Sequence, residues 1–309
     1  MLSFSHDQSG SGTAAFSLES DAWTRANNGS YFVAIQGQDV SGQLSPSQLT
    51  AYLGRCGIAE VRLLLQGPYL AATGTMSTAL RAAGSLPLHQ PYNTPPWNYS
   101  GTEQVSSLPD SIVDWVLLEL RDKQDNTHSI ERRAGLLTQN GLVLNTGLTT
   151  GLYFTAAENP SDYYIVAWHR NHMPVMSGLP VSLPNSGQPY DFTRPGLNPP
   201  YKHNDPLPAE LELDGSGRYG LIAGDINADR VLSYLGDTND RALILSRILG
   251  VSGQNNLNRI ISGYYAEDLN LDNNVIYLGD SNDRGLILSN LLRLTGSNNL
   301  TSVYYSVVP

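Results

Sequence analysis

The sequence predicts a mainly β protein: a β-sandwich of Ig-like or jelly-roll type, followed by a small α-helical domain carrying paired EF-hand-like loops. Three observations predict it. Short apolar runs separated by turn residues recur from about residue 31 to 193, as in sandwiches and barrels. Only 15% of the residues are charged, whereas Gly, Ser, Asn, Thr and Tyr are plentiful, a balance that suits β-rich extracellular chains with long polar loops. In the last quarter, one acidic phrase followed by an apolar run is written twice.

In chain order, residues 1–30 form a polar, glycine-serine-rich arm. It is expected either to lie on its own domain or to act as a donor strand that completes a neighbour's open sheet edge. Residues 31–193 are expected to form the sandwich. Tyr31–Ile35 and Glu60–Leu65 read as strands, the second stopped by Gly67-Pro68. Ser45-Pro46 suits the start of a helical turn running to Tyr52. Ile112–Leu120 is apolar at nearly every position, as a strand buried on both faces should be. Ala134–Leu137 and Leu142–Leu144 flank Asn140-Gly141, the strongest short hairpin signal in the chain. Gly151–Phe154 and Tyr163–Trp168 follow, with Trp115 and Trp168 as expected core pillars. Prolines at 184, 189, 195, 199, 200, 206 and 208 predict an extended, semi-rigid linker over 194–216. The helical domain takes 217–309 and closes on a final strand, Val303–Val308.

The repeated phrase carries the chemistry. Asp225-Ile-Asn227-Ala-Asp229 leads to Tyr234-Leu-Gly236-Asp237-Thr-Asn239-Asp240-Arg241. It recurs 43 residues later as Asp268-Leu-Asn270-Leu-Asp272, leading to Tyr277-Leu-Gly279-Asp280-Ser-Asn282-Asp283-Arg284. Calcium takes six to eight hard oxygen ligands, and the D-x-N-x-D spacing presents them from loop positions one, three and five. That assigns Asp225, Asn227 and Asp229 to one site and Asp268, Asn270 and Asp272 to the other. Position seven supplies a main-chain carbonyl, from Val231 or Asn274. Position twelve, usually Glu, is Gly236 or Gly279, so Asp240 and Asp283 are expected to close the spheres, with Asp237 and Asp280 as the alternatives. Arg230 and Asn273 stand where position six is usually glycine, so the turn there is expected to differ or relax.

These paired loops, each followed by an apolar helical pattern, resemble the duplicated calcium loops of dockerin modules. The fuller phrase, with Gly263-Tyr264-Tyr265-Ala-Glu267-Asp268 between the copies, is similar to a dockerin-like tail on large secreted bacterial surface proteins of the haemagglutinin-like or adhesin kind. Val61–Leu65 with Gln66-Gly67-Pro68-Tyr69, then Asp114-Trp115-Val116, then Trp168-His169-Arg170-Asn171-His172, resemble the β-sandwich region that precedes such tails. The resemblance implies two Ca2+ sites, a cell-surface location and a structural or display role. The four extra residues before Asp240 and Asp283, and the missing position-six glycines, depart from the dockerin pattern.

Other function classes are disfavoured. A net charge of −10 does not suit nucleic acid, which needs a basic face. One cysteine, Cys56, allows no intrachain disulfide and no cysteine-rich zinc site. No run is apolar and long enough to span a membrane. Met1–Asp7 has neither the basic nor the apolar part of a secretory signal, so export signals are expected elsewhere. No zinc-helix, nucleophile-elbow or phosphate-loop motif marks an enzyme. His169 and His172, three apart on a strand, would face opposite sides and are expected to be hydrogen-bonded at a corner rather than to hold a metal. Tyrosines in proline-rich loops (Tyr92, Tyr99, Tyr190 and Tyr201, near Trp97) suggest sugar stacking. The leading expectation is therefore a non-enzymatic, calcium-stabilised subunit of a surface fibre or filament, self-associating through its N-terminal arm. The alternative is an adhesin, or a module that binds a glycan or a surface protein. Asn28, Asn98 and Asn299 lie in glycosylation sequons.

Overall fold

The computed structural model describes residues 57–157, 161–185, 187–202, 207–237, 239–250 and 256–309, and the backbone of four short strands before them. The chain divides into two compact units, Met1–Arg55 and Cys56–Pro309. In the first, Val33–Ala34 pairs with Gln48–Leu49, and Gly37–Gln38 with Leu44–Ser45, all antiparallel. The helical turn expected from Ser45 is thus replaced by strand at Leu44–Ser45 and Gln48–Leu49. The arm over residues 1–30, and its donor-strand role, lie outside the described residues.

The second unit is built on one antiparallel sheet. Its strands are β1 (Ile112–Asp122), β2 (Ser129–Thr138), β3 (Val143–Leu144), β4 (Ser161–His169), β5 (His172–Met176) and β6 (Val181–Leu183). They lie in the order β3-β2-β1-β4-β5, with β6 also pairing β4. Each of the ten residues from Ile112 to Arg121 is buried, so β1 is covered on both faces as its composition predicts. The Asn140-Gly141 turn joins β2 to β3, with Gly141 at φ 89°. Most other described strands of this unit pair only two by two. The architecture is therefore mainly β, with one six-stranded sheet and many short ladders.

Trp115, Phe154, Phe192, Leu63 and Leu65 are fully buried in the core around this sheet. Trp168 is not a pillar like Trp115. It is half-buried, because its indole N–H reaches the Glu119 carboxylate instead of turning inward.

The C-terminal part has its own apolar cluster. Helix α1 (Asp240–Gly250) contributes Ile244 and Ile248, and helix α2 (Asp283–Thr295) contributes Ile287, Leu291 and Leu294, at the three- and four-residue spacing of one helix face. Asn282 caps α2 by accepting from the Gly285 amide, and Gly296 ends it in the left-handed conformation at φ 61°. Val231–Ser233 pairs with the expected final strand, observed as Val303–Tyr305, and Ile260–Ser262 pairs with Asn274–Ile276.

The proline-rich stretch 194–216 lies inside this compact unit. Tyr201 donates its amide to the Met176 carbonyl, and Leu211–Glu212 pairs with Tyr219–Gly220. Polar side chains stitch helix α2 to the turn after Leu65: Gln66 and Asn290 exchange two amide hydrogen bonds at 2.7 Å. No helix among the described residues is long and apolar enough to cross a membrane.

Candidate calcium loops and the polar network behind them

Both acidic loops fold the same way. In the first, Asp225 accepts from the Arg230 amide at 3.1 Å, Asn227 from the Asp229 amide at 3.2 Å, and Asp229 from the Val231 amide at 2.8 Å. In the second, Asp268 accepts from the Asn273 amide at 2.9 Å, Asn270 from the Asp272 amide at 3.0 Å, and Asp272 from the Asn274 amide at 2.8 Å. Short acidic and amide side chains bond readily to main-chain amides two residues on, which is why this sequence coils locally. The side chain at position three also touches that at position five, through Asn227 to Asp229 at 2.8 Å and Asn270 to Asp272 at 3.1 Å.

Position six keeps the left-handed turn without glycine. Arg230 has φ 68° and Asn273 φ 77°, and position four is also left-handed, at Ala228 (φ 54°) and Leu271 (φ 55°). The expectation of a relaxed turn is thus corrected: the side-chain-to-amide bonds hold the same bend that glycine would reach freely. Left-handed backbone costs a non-glycine residue about 1–2 kcal/mol, so the loop bonds must offset that strain twice in each copy.

The first residue of each helix closes its loop. Asp240 accepts from the Ile226 amide at 3.0 Å with one oxygen and from the Ser233 amide at 2.9 Å with the other. Asp283 does the same with Leu269 and Ile276, both at 2.7 Å. Asp240 and Asp283 are buried, while Asp237 and Asp280 are exposed. Each carboxylate oxygen of Asp240 and Asp283 retains a further lone pair for a cation.

These carboxylates are electrostatically uncomfortable. Burial raises Asp240 to about 7, although the amides of Ser233 and Ile226 oppose it and the charge of Asp229 adds to it. Asp283 likewise rises to about 7, and Asp268 to about 8 despite the nearby Arg170 guanidinium. Asp225 is pushed well above the usual carboxylate range by burial and by the charges of Asp240 and Asp229.

The donor set fits a hard divalent ion in one specific respect. Asp225 is 1% exposed, and its Oδ1 is buried with no hydrogen-bond donor, an acceptor left open beside Asp240 and Asp229. Among the described residues, no three His, Cys, Asp or Glu side chains form a metal-holding group by themselves. A cation in either loop would therefore also need Asn227 or Asn270, and the main-chain carbonyls of Val231 or Asn274.

Behind the second loop lies a network that sequence reasoning missed as a unit. Strand β4 ends at His169, and a two-residue turn at Arg170-Asn171 starts β5 at His172. The turn brings both imidazoles to the same side, Nδ1 to Nδ1 at 3.1 Å, where a continuing strand would have separated them. Asp114, fully buried, meets His169 at 3.2 Å and Arg170 at 2.9 Å, and accepts from the Tyr264 hydroxyl at 2.7 Å. Arg170 also lies over the Tyr264 ring at 4.2 Å and donates to the Tyr265 carbonyl. Asn171 donates to the carbonyls of Ala266 and Asp268. Burial lowers both histidines, while Arg170, His169 and Tyr264 hold Asp114 at about 2 against its own burial. The signal was present in Trp168-His-Arg-Asn-His172 and Gly263-Tyr-Tyr265, but nothing local joined the two. Gly67 completes the packing: a Cβ there would sit 1.8 Å from the Leu269 carbonyl oxygen.

Three of the four expected sugar-stacking tyrosines lie in the core, and Tyr201 is half-buried. Tyr92, Tyr99 and Tyr190 are buried, because each hydroxyl finds an internal acceptor: the carbonyl of Trp115, the carboxylate of Glu103 and the carbonyl of Pro199. Trp97, by contrast, is half-buried.

No family model matches the chain, and neither the curated proteins nor the solved structures give a match.

Proposed function

We propose that this chain is a non-enzymatic structural protein that works outside the cell, with its two dockerin-like C-terminal loops each binding one Ca2+. The observation that carries the reading is the open, buried Oδ1 of Asp225 in the first loop, within a lattice of main-chain bonds repeated 43 residues on, where the matching Oδ1 of Asp268 accepts from the Asp272 amide at 3.2 Å. The clustered acids of each loop, two of them buried and the third nearer solvent, repel one another, and a divalent ion would hold them ionised and set the loops rigid. Extracellular calcium modules work at about 10⁻⁴–10⁻³ M, a range that a cytosol does not reach, which supports the extracellular assignment. A role as part of a surface fibre or filament follows from the same stiffening, with self-association through the N-terminal arm as the proposed route to a polymer.

The test is calcium titration by calorimetry with parallel thermal melts. Two bound ions per chain are expected. At a hundredfold excess over Kd, each site contributes about 2.7 kcal/mol to stability. A melting temperature indifferent to chelator, together with no heat of binding, removes the reading.

A further inference from the structure

A cleft of about 370 Å³ opens beside the first acidic loop, between Trp97 and Trp168. Its walls are held rigidly. Trp97 stands edge-on to the fully buried Tyr92, with ring centres 5.1 Å apart, and its carbonyl accepts from Arg132 at 2.8 Å. Trp168 donates its indole N–H to Glu119 at 2.8 Å, and the Arg121 guanidinium lies 5.9 Å from its ring. Arg121 is braced by the carbonyls of Asn126 and Pro309, and Arg230 by that of Val308.

Three guanidiniums therefore face one cleft, against the two carboxylates of Glu119 and Asp229, in a chain whose net charge is −10. The Arg121 guanidinium is already paired with Glu119 at 3.3 Å, which leaves Arg132 and Arg230 against Asp229 to set the sign of the cleft.

We propose that this cleft binds a carboxylated glycan. A planar guanidinium grips a carboxylate through two parallel hydrogen bonds, which Arg132 is placed to provide with the N–H groups its bond to Trp97 leaves over. An indole face offers flat apolar area to the C–H side of a pyranose ring. The volume lies at the small end of the range for small-molecule sites, about 300–1,000 Å³, which suits one or two sugar rings better than a folded peptide.

Residues 228–230 of the first loop form one wall, so the cleft and the loop share Asp229. Calcium in that loop would cancel the Asp229 charge and leave the guanidiniums less opposed. Sugar affinity should therefore rise with calcium. That coupling rests on the calcium reading, whereas the cleft itself does not.

The experiment compares sialyllactose with lactose, which differ by one acidic sugar, by calorimetry and indole fluorescence on the full chain, in excess calcium and in chelator. Sialyllactose is expected to bind at least about tenfold more tightly than lactose, a difference of about 1.4 kcal/mol. Arg132→Ala should erase the preference, with a modest fall in melting temperature because the Trp97 carbonyl loses its donor. Should that variant fail to fold, Arg132→Lys, which keeps the charge and loses the planar fork, carries the test with a partial loss. Equal binding of both sugars, binding of neither, an unchanged affinity in both variants, or equal competition by pentaglutamate overturns the proposal. Calcium binding is titrated separately without sugar. If the loops take calcium and sialyllactose affinity does not respond, the coupling fails. If the loops take none and sialyllactose still binds, the cleft stands and the calcium reading falls.

Discussion

The side-chain amide of Asn171 donates to the main-chain carbonyl of Asp268 at 2.6 Å, tying the tip of a β-hairpin to the first residue of the second acidic loop. The same amide donates to the Ala266 carbonyl at 2.9 Å, and its oxygen meets His172 Nδ1 at 2.8 Å. One side chain thus fastens the sheet to the loop that would hold a cation.

Asn171→Ala should leave those two carbonyls short of donors in a place that water does not reach. Buried groups left without partners cost about 1–3 kcal/mol each, so the variant should lose about 2–6 kcal/mol in urea unfolding. Calcium affinity should fall at the second loop and hold at the first, which calorimetry on this variant resolves. Equal weakening of both loops would mean that Asn171 acts only on global stability.

Acidity should separate the two halves of the site by sign. Asp240, Asp268 and Asp283 stand at about 7, 8 and 7 in the fold against 3.8 in the free chain. The folded chain therefore holds more protons than the unfolded one between those limits. Without calcium, that contribution is complete below 3.8 and is lost as pH rises through about 7–8. The buried His169 and His172 work the other way. Their pKa values lie below the ordinary 6.5, so their contribution is present above it and is lost as pH falls. Subtracting the melting temperature in chelator from that in calcium cancels the histidines. The difference should widen from about pH 5 to pH 8.5, where calcium replaces protons on the aspartates. A difference constant across that range would show that these carboxylates are not where the ion acts.

Glu210 is a buried acid with a simpler consequence. It is 3% exposed, both carboxylate oxygens lack donors, and burial with the nearby Asp191 charge drives it well above its ordinary 4.5. Its folded pKa is raised, so its contribution is present below 4.5 and is lost as pH rises. Glu210→Gln should match the parent near pH 4 and be the more stable protein near pH 8, as read by chemical denaturation. A variant less stable at the higher pH would imply that the ionised Glu210 is held by a favourable partner.

How far the chain could be read in advance follows from the span of its interactions. The loop bonds run over two to five residues, and the closing bonds of Asp240 and Asp283 over seven and fourteen, so each loop and the helix start after it are written within one stretch. The apolar composition of Ile112–Leu120 likewise announces a strand covered on both sides, since water would meet only hydrocarbon there. In the 194–216 stretch the prolines report a locally extended backbone and say nothing of what packs against it. Leu211, for example, is buried in one apolar cluster with Met173 and Tyr304, far from it in the chain.

By itself, then, the sequence determined a mainly β chain with two acidic loops, each running into a helix, because those features depend on local bonding and on hydrophobic period. Only the tertiary structure decided that Asn171 would brace Asp268 across 97 residues, that Tyr264 would reach Asp114 across 150, and that Trp168 would turn to Glu119 across 49. Such pairings depend on which surfaces the sheet and tail bury together, and no local pattern of residues encodes a distance between strangers in the chain.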